Sequence, residues 1–266
     1  MNARTEPAEA QAEPSAPARP PLIREFLLVA GLFLVYKAGR QLATGHTGDA
    51  FRNARRVWHL ERAAHLPHEN AVQSALLHGD TVVHLANTYY ATVHFPATLA
   101  FLVWLYLRRP AHYVWARRVL ATVTTAALVL PFTFPLAPPR MLTGTGLLDT
   151  ARVYGPSVYG PPSSDHLSNQ FAAMPSLHFG WALMVAVGLI AATRSRRRAL
   201  WLLHPLVTLL VIVGTANHYW LDAVVATAML GLALAVIHPP RRTATTAGLG
   251  TSLPRPREPV LAGADR

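Results

Sequence analysis

Long apolar runs, separated by short clusters of charged residues, alternate along most of the chain. A helix that crosses a bilayer needs about 20 mostly apolar residues. Runs near that length occupy residues 81–107, 119–139, 166–193, 199–221 and 223–240. A sixth run, at residues 26–43, is weaker because Lys37 and Arg40 interrupt it. The pattern predicts an all-α fold, a polytopic membrane helix bundle of about six transmembrane helices.

The two ends of the chain differ from this apolar middle. Residues 1–21 are rich in Ala, Pro and Glu, and residues 241–266 are rich in Pro, Gly, Thr and Arg. Segments of that composition bury too little apolar surface to offset the entropy lost on ordering. We therefore expect two disordered cytoplasmic tails around one membrane domain at residues 22–240.

Composition narrows the chemistry that the chain can perform. The sequence is 52% hydrophobic, 14% charged and free of cysteine, which excludes disulfides, thiolate nucleophiles and cysteine-bound zinc. His, Asp, Ser and Arg remain as the functional groups. The net charge of +11 comes from arginines at the ends of apolar runs, a distribution that favours a topological role over a nucleic-acid partner.

Those arginines also predict an orientation in the cell membrane. Six spans with a cytoplasmic N-terminus put basic clusters on the cytoplasmic side, at residues 108–118, 194–198 and 241–242. The opposite side then receives residues 44–80, 140–165 and 217–219. The arginines of the first of these segments argue against this orientation, and the alternative is that the first run is not a true span. We interpret their amphipathic stretch, residues 50–66, as an interfacial helix lying on the membrane.

Three polar motifs lie at the non-cytoplasmic ends of the predicted spans. In GTANHYWLDAVV, residues 214–225, His218 and Asp222 are four residues apart and share one face of a helical turn. The carboxylate can bind one imidazole nitrogen and leave the other as a nucleophile or base. The alternative is a helix-capping aspartate beside an interfacial histidine.

The motif AAMPSLHFGWA, residues 172–182, predicts a helix that begins near Pro175. The amides of such a helix start, with the Ser176 hydroxyl, form an anion site, and His178 is close enough to donate a proton. The alternative is a simple Pro-Ser helix cap. In the third motif, PLAPPRML at residues 135–142, Arg140 is either a phosphate ligand or a topological anchor.

Taken together, the order Arg, Pro-Ser-x-His and His-x-x-x-Asp resembles the type 2 phosphatidic acid phosphatase superfamily over residues 85–237. The amino-acid sequences of the motifs are most similar to those of its inositol phosphorylceramide synthase-like branch. The resemblance implies that His218 is the nucleophile that forms a phosphohistidine, that Asp222 orients it, and that His178 protonates the leaving oxygen. Arg140 and Ser176 would hold the phosphoryl oxygens, and no metal or other cofactor would be needed.

The chain departs from the broad family pattern at two positions. Thr133 stands where much of the superfamily has a lysine, and Ile212 stands where it has an arginine. Lys37 and Arg40 could supply replacement charge, although snorkelling to the interface is the plainer interpretation. Two other histidines, His84 and His94, could line the cavity, but we do not place them in the site.

The leading hypothesis is a membrane-bound lipid phosphatase or phosphotransferase acting on a lipid-linked phosphate. The expected partners are the lipid phosphate substrate, membrane lipids and, for a transferase, an alcohol acceptor such as inositol; nucleic acid is not expected. Two alternatives stay open. In a proton-coupled transporter the same ionisable residues would relay protons, and a catalytically silent membrane scaffold would keep the fold without the reaction.

Overall fold

The computed structural model describes residues 19–42, 47–156 and 171–240, without the side chains of residues 32–33 and 35–42. The predictions about the side chains of Lys37 and Arg40, and about residues 1–18 and 241–266, concern residues outside this part. The described residues contain helices and one isolated bridge between Leu136 and Ala172, which confirms the all-α class. The helices are α1 (Leu22–Leu42), α2 (Thr47–Ala63), α3 (Glu69–Leu76), α4 (Asp80–Thr92), α5 (His94–Arg108), α6 (Pro110–Thr133), α7 (Thr150–Tyr154), α8 (Leu177–Ala192), α9 (Leu203–Gly214) and α10 (Trp220–Val236).

The lengths of the apolar helices differ from those that the sequence predicted. In the described part of the chain, α6 is long and apolar enough by itself to cross a membrane, and α4 with α5 together form a second candidate. The apolar helices α8, α10 and α9 with its preceding 3-10 turn are shorter, at 10–17 residues. Six spans therefore stay a prediction.

The run at residues 81–107 is two helices rather than one. Helices α4 and α5 meet at Val93 and are bent by 49°. Pro96, in the first turn of α5, has no N–H for the carbonyl of Thr92, and its ring clashes with the preceding turn. The bend leaves the end of α4 and the start of α5 facing the same neighbour, α8.

Helices α5, α6, α8 and α10 enclose the main apolar core. Its largest buried members include Phe101, Leu105, Trp115 and Met184. Gly188 allows α8 to approach α5 closely, because a Cβ atom there would lie 2.3 Å from Cζ of Phe101. The packing of these helices depends on contact with one another rather than on any single long span.

The three motifs lie at one end of this bundle, where α6 ends and α8 and α10 begin; we call it the motif end. Helix α2 packs across it. The predicted amphipathic helix is present, but its apolar stripe of Ala50, Ala54 and Val57 is buried in one cluster with Leu136 and Tyr219. The interpretation of α2 as a helix resting its apolar face on the membrane was wrong, because that face is buried against the protein itself.

Candidate active site

Backbone hydrogen bonds join the three motifs at the motif end. The amide of Ala173 donates to the carbonyl of Leu136 over 3.2 Å, and the amide of Arg140 donates to the carbonyl of Ala216 over 3.0 Å. The amide of Ser176 donates to the carbonyl of Asp222 over 3.3 Å. Residues far apart in the sequence are therefore held in one place by the main chain.

The geometry of His218 fixes its tautomer. Its Nδ1 lies 2.8 Å from the carbonyl oxygen of Ala173 and 3.1 Å from Oδ2 of Asp222. Two acceptors at one nitrogen require that nitrogen to carry the proton. In the neutral ring Nε2 then keeps its lone pair, which is the state that a nucleophile needs.

Asp222 is held in turn by the first turn of α10. It is fully buried, and its Oδ2 accepts from the amide of Tyr219 over 2.9 Å. The next free helix-start amide, that of Leu221, donates over 2.8 Å to Oε1 of Glu61 on α2. The side chains of Asp222 and Glu61 therefore both accept hydrogen bonds from amides at the helix start that carries the histidine's partner.

The turn before α10 adopts a conformation that is uncommon for a residue with a side chain. Ala216 has a φ of 54°, in the left-handed region. Its carbonyl accepts the Arg140 amide, and its own amide donates to Val213 over 2.9 Å. This tight turn brings Asn217 and His218 together beside Arg140.

Arg140 is buried and oriented by two side chains that the sequence analysis did not name. Its Nη1 donates to Oδ1 of Asn217, and its Nε lies 3.5 Å from Oδ2 of Asp149. Only 4% of its side chain is exposed, so it is a fixed cation at the cavity wall rather than a surface anchor. Asn217 lies next to the predicted nucleophile, and that adjacency is the signal in the sequence that could have identified it.

His178 is in the first turn of α8 and faces His218, with ring centroids 5.9 Å apart. The His178 ring also contacts the rings of Tyr90 and His94, which lie on the two sides of the bend between α4 and α5. The sequence analysis left His94 out of the site, yet the structure places it there. His84, by contrast, is exposed, with its Nδ1 3.2 Å from the carbonyl oxygen of Tyr154.

Ser176 lies at the predicted helix start, and its role as a phosphate ligand stays a prediction. It is fully buried, and its hydroxyl accepts from the amide of Phe179 over 3.4 Å as the N-cap of α8. Its side chain does not line the cavity that His178 and His218 line. The structure thus gives Ser176 the alternative role of a helix cap, because the cap turns the hydroxyl back toward its own helix.

A cavity of about 390 Å³ connects the polar motifs to the bundle interior. Arg140, His178 and His218 line it with Asn217, and its remaining wall is mostly apolar. At the far end it reaches Arg117, which pairs with Glu25. The apolar wall is formed chiefly by Val29, Phe95, Leu99, Leu102, Leu120, Ala121, Leu128 and Leu177.

The two departures from the family pattern leave no cation at those positions. Thr133 is exposed, and its hydroxyl donates to the carbonyl of Leu130 in its own helix. Ile212 is buried in an apolar cluster with Tyr90 and Phe179. Within the described ranges no group of three or more His, Asp or Glu side chains is arranged to hold a metal ion.

Comparison with known proteins agrees with this arrangement. The chain matches no curated protein and no solved structure. The sequence model of the PAP2 superfamily, in contrast, matches residues 55–236, from the middle of α2 to the last residue of α10. The match covers more than half of the chain and includes all three motifs, so this protein belongs to the PAP2 superfamily.

Proposed function

We propose that this protein is an integral membrane lipid phosphatase or phosphotransferase that acts through a phosphohistidine at His218, without a metal. Membership of the PAP2 superfamily suggests phosphatase or phosphotransferase activity. The observation that carries the proposal is the state of His218, whose Nδ1 is tied to Asp222 and Ala173 while its ring lines the cavity.

In the first step the Nε2 lone pair of His218 attacks phosphorus. The bond between phosphorus and the lipid oxygen breaks, its electron pair stays on that oxygen, and His178 supplies the proton. The imidazolium that forms is stabilised by Asp222, and the charge on the phosphoryl oxygens by Arg140.

In the second step water or an alcohol attacks the phosphohistidine, and the bond between phosphorus and nitrogen breaks. His178, now neutral, accepts the proton of the attacking hydroxyl group, so the site returns to its starting state. Water as the acceptor gives a phosphatase. An alcohol as the acceptor, with inositol as one candidate, gives a transferase.

The cavity supports a lipid rather than a soluble phosphate as the substrate. Most of its polar groups lie at one end, Arg117 paired with Glu25 lies at the other, and the apolar wall between them suits a hydrocarbon chain. We place the motif end on the extracytoplasmic side of the cell membrane in a six-span topology. Arginine clusters lie preferentially on the cytoplasmic side, and in this topology they are at the opposite ends of the spans from the motifs.

Trapping of the covalent intermediate tests the proposal. Purified full-length protein in EDTA would be mixed with a ³²P-labelled aryl phosphate, quenched in base and analysed for acid-labile phosphate. We expect trapping in the wild type and in His178→Ala, since an aryl leaving group hardly needs a proton, and none in His218→Ala. His59→Ala, an exposed histidine of α2, is the matched control.

Three outcomes would contradict the proposal. Label retained in His218→Ala but lost in His178→Ala would reverse the two roles. Loss of wild-type trapping in EDTA, restored by Mg²⁺, would show a metal-dependent reaction. Proton transport without any phosphoenzyme would favour a transporter.

A further inference from the structure

The ring of His178 is held between two other rings. Tyr90 stacks on it with centroids 4.3 Å apart and planes 18° apart. His94 contacts it at a centroid distance of 3.9 Å, tilted by 52°. Stacked and tilted aromatic contacts at these distances are attractive and depend on orientation. Both of them therefore act on the one side chain that the reaction needs as an acid.

The bend between α4 and α5 creates this arrangement. Tyr90 and His94 are four residues apart, so a helical chain presents them on one face. Because the two helices meet at Val93 with a 49° bend, Tyr90 comes from the end of one helix and His94 from the start of the next. Pro96, one turn later, keeps the bend in place.

A further aromatic contact supports His94 on its other side. The Trp181 ring, one turn along α8 from His178, lies 6.1 Å from the His94 ring. The Trp181 Nε1 donates to Oγ1 of Thr124 on α6 over 3.0 Å, which holds the indole in place. Helices α5, α6 and α8 thus fix the position of His94 together.

His94 contributes a ring to this group. Its side chain lines the cavity beside His178, next to the apolar residues Phe95 and Leu99. A phenyl ring in the same place would keep the ring contact.

We propose that Tyr90 and His94 are positioning residues for His178, which hold its imidazole ring at the angle needed to protonate the leaving oxygen. This inference rests on the proposed function, in which His178 is the general acid. Displacing a catalytic group by about 1 Å can cost on the order of 10²-fold in rate. Loss of either ring contact allows the His178 side chain to rotate away from the leaving oxygen.

Paired substrates test this role, because only one of them needs the acid. The purified full-length protein would be assayed with dodecyl phosphate, which has an alkoxide leaving group, and with para-nitrophenyl phosphate. For His94→Ala and Tyr90→Ala we expect kcat/KM on dodecyl phosphate to fall by about 10- to 100-fold. Turnover of the aryl phosphate should stay within about threefold of wild type, because its leaving group hardly needs a proton.

A conservative variant and a control separate positioning from stability. His94→Phe keeps the ring and should retain both activities. Leu85→Ala, which is exposed on α4, is the matched control. Tyr90 is also a buried core residue, so if Tyr90→Ala does not fold, the two substitutions at His94 decide the matter.

Parallel losses on both substrates in His94→Ala would overturn the proposal, since a structural defect lowers every activity. A loss in His94→Phe as large as that in His94→Ala would also overturn it, because the nitrogen and not the ring would then be required. If the wild-type protein hydrolyses neither substrate, the proposed function fails instead.

Discussion

At the motif end, the buried polar side chains have fixed hydrogen-bond or ion-pair partners, whereas the interior between α5, α6 and α8 contains mainly apolar contacts. His218, Arg140 and Asp222 each have a fixed hydrogen-bond or ion-pair partner. The interior packs through residues such as Phe101 and Met184. Directional hydrogen bonds fix the angles of a reacting group, while apolar contact is non-directional and follows area.

The difference suggests that the two parts of the cavity bind different parts of a substrate. In the proposed reaction, its polar end holds groups at set angles to a phosphoryl group, and its apolar wall accepts a chain with little demand on exact shape. Loss of the nucleophile or of a phosphoryl ligand at the polar end should therefore reduce turnover of every phosphate substrate, whereas loss of the general acid spares aryl phosphates. Changes in the apolar wall should reduce turnover of lipid substrates alone.

The largest effect is expected at Arg140. Replacement by Ala removes the fixed cation that stabilises phosphoryl charge, and we expect kcat to fall by about 10²- to 10³-fold on both lipid and aryl phosphates. Arg140→Lys keeps the charge but loses the fork that binds Asn217 and Asp149, so its loss should be smaller. Steady-state kinetics on both substrates measure the effect.

Arg55→Ala, an exposed arginine of α2, is the control for general loss of positive charge. An Arg140→Ala variant that loses lipid turnover but keeps aryl turnover would break the comparison. It would place Arg140 with the lipid chain rather than with the phosphoryl group.

A smaller and more selective effect is expected in the apolar wall. Ala121 lines the cavity on α6, and Ala121→Phe would fill part of it. Overpacking costs about 1–3 kcal/mol, so we expect kcat/KM on dodecyl phosphate to fall by about tenfold or more. The small aryl phosphate should be turned over at nearly the wild-type rate.

Ala126→Phe, which is exposed on the same helix, should leave both activities unchanged. The sharpest readout is a series of alkyl phosphates of increasing chain length. If Ala121→Phe affects short and long chains equally, the hydrocarbon chain lies elsewhere.

The smallest effect concerns the stability of the motif end. Burial, followed by the neighbouring Glu69 carboxyl group, raises the pKa of Glu61 from its ordinary value of 4.5 to about 9. The folded protein therefore keeps a proton there that the unfolded chain releases. The free energy of unfolding should then fall as the pH rises from about 4.5 toward 9.

Glu61→Gln removes this titration and keeps an oxygen to accept from the amide of Leu221. In detergent micelles we expect its thermal midpoint to drop by several °C less than that of wild type between about pH 6 and pH 8.5. Asp80→Asn, at an exposed position of α4, is the control. If the thermal midpoints of wild type and Glu61→Gln depend equally on pH, the titration of Glu61 beside Glu69 does not govern stability.

Much of the fold class and several site residues could be predicted because they depend on local pattern. The apolar runs predicted helices, and the spacing of His218 and Asp222 predicted their contact, since four residues make about one helical turn. The bend at Val93 was missed although Pro96 is visible in the sequence. A proline inside an apolar run can also be accommodated without a break, so composition alone does not decide whether the run forms one helix or two.

The sequence by itself determined which chemical groups are present, that most of the chain is helical, and that cysteine takes no part in the chemistry. Only the tertiary structure decided that Ser176 caps a helix, that α2 packs on the protein, and that Asn217, Tyr90 and His94 belong to the site. The reason is that periodicity records which face of a segment is apolar, but not what covers that face. Contacts between residues such as His94 and His178, 84 positions apart, arise when helices pack.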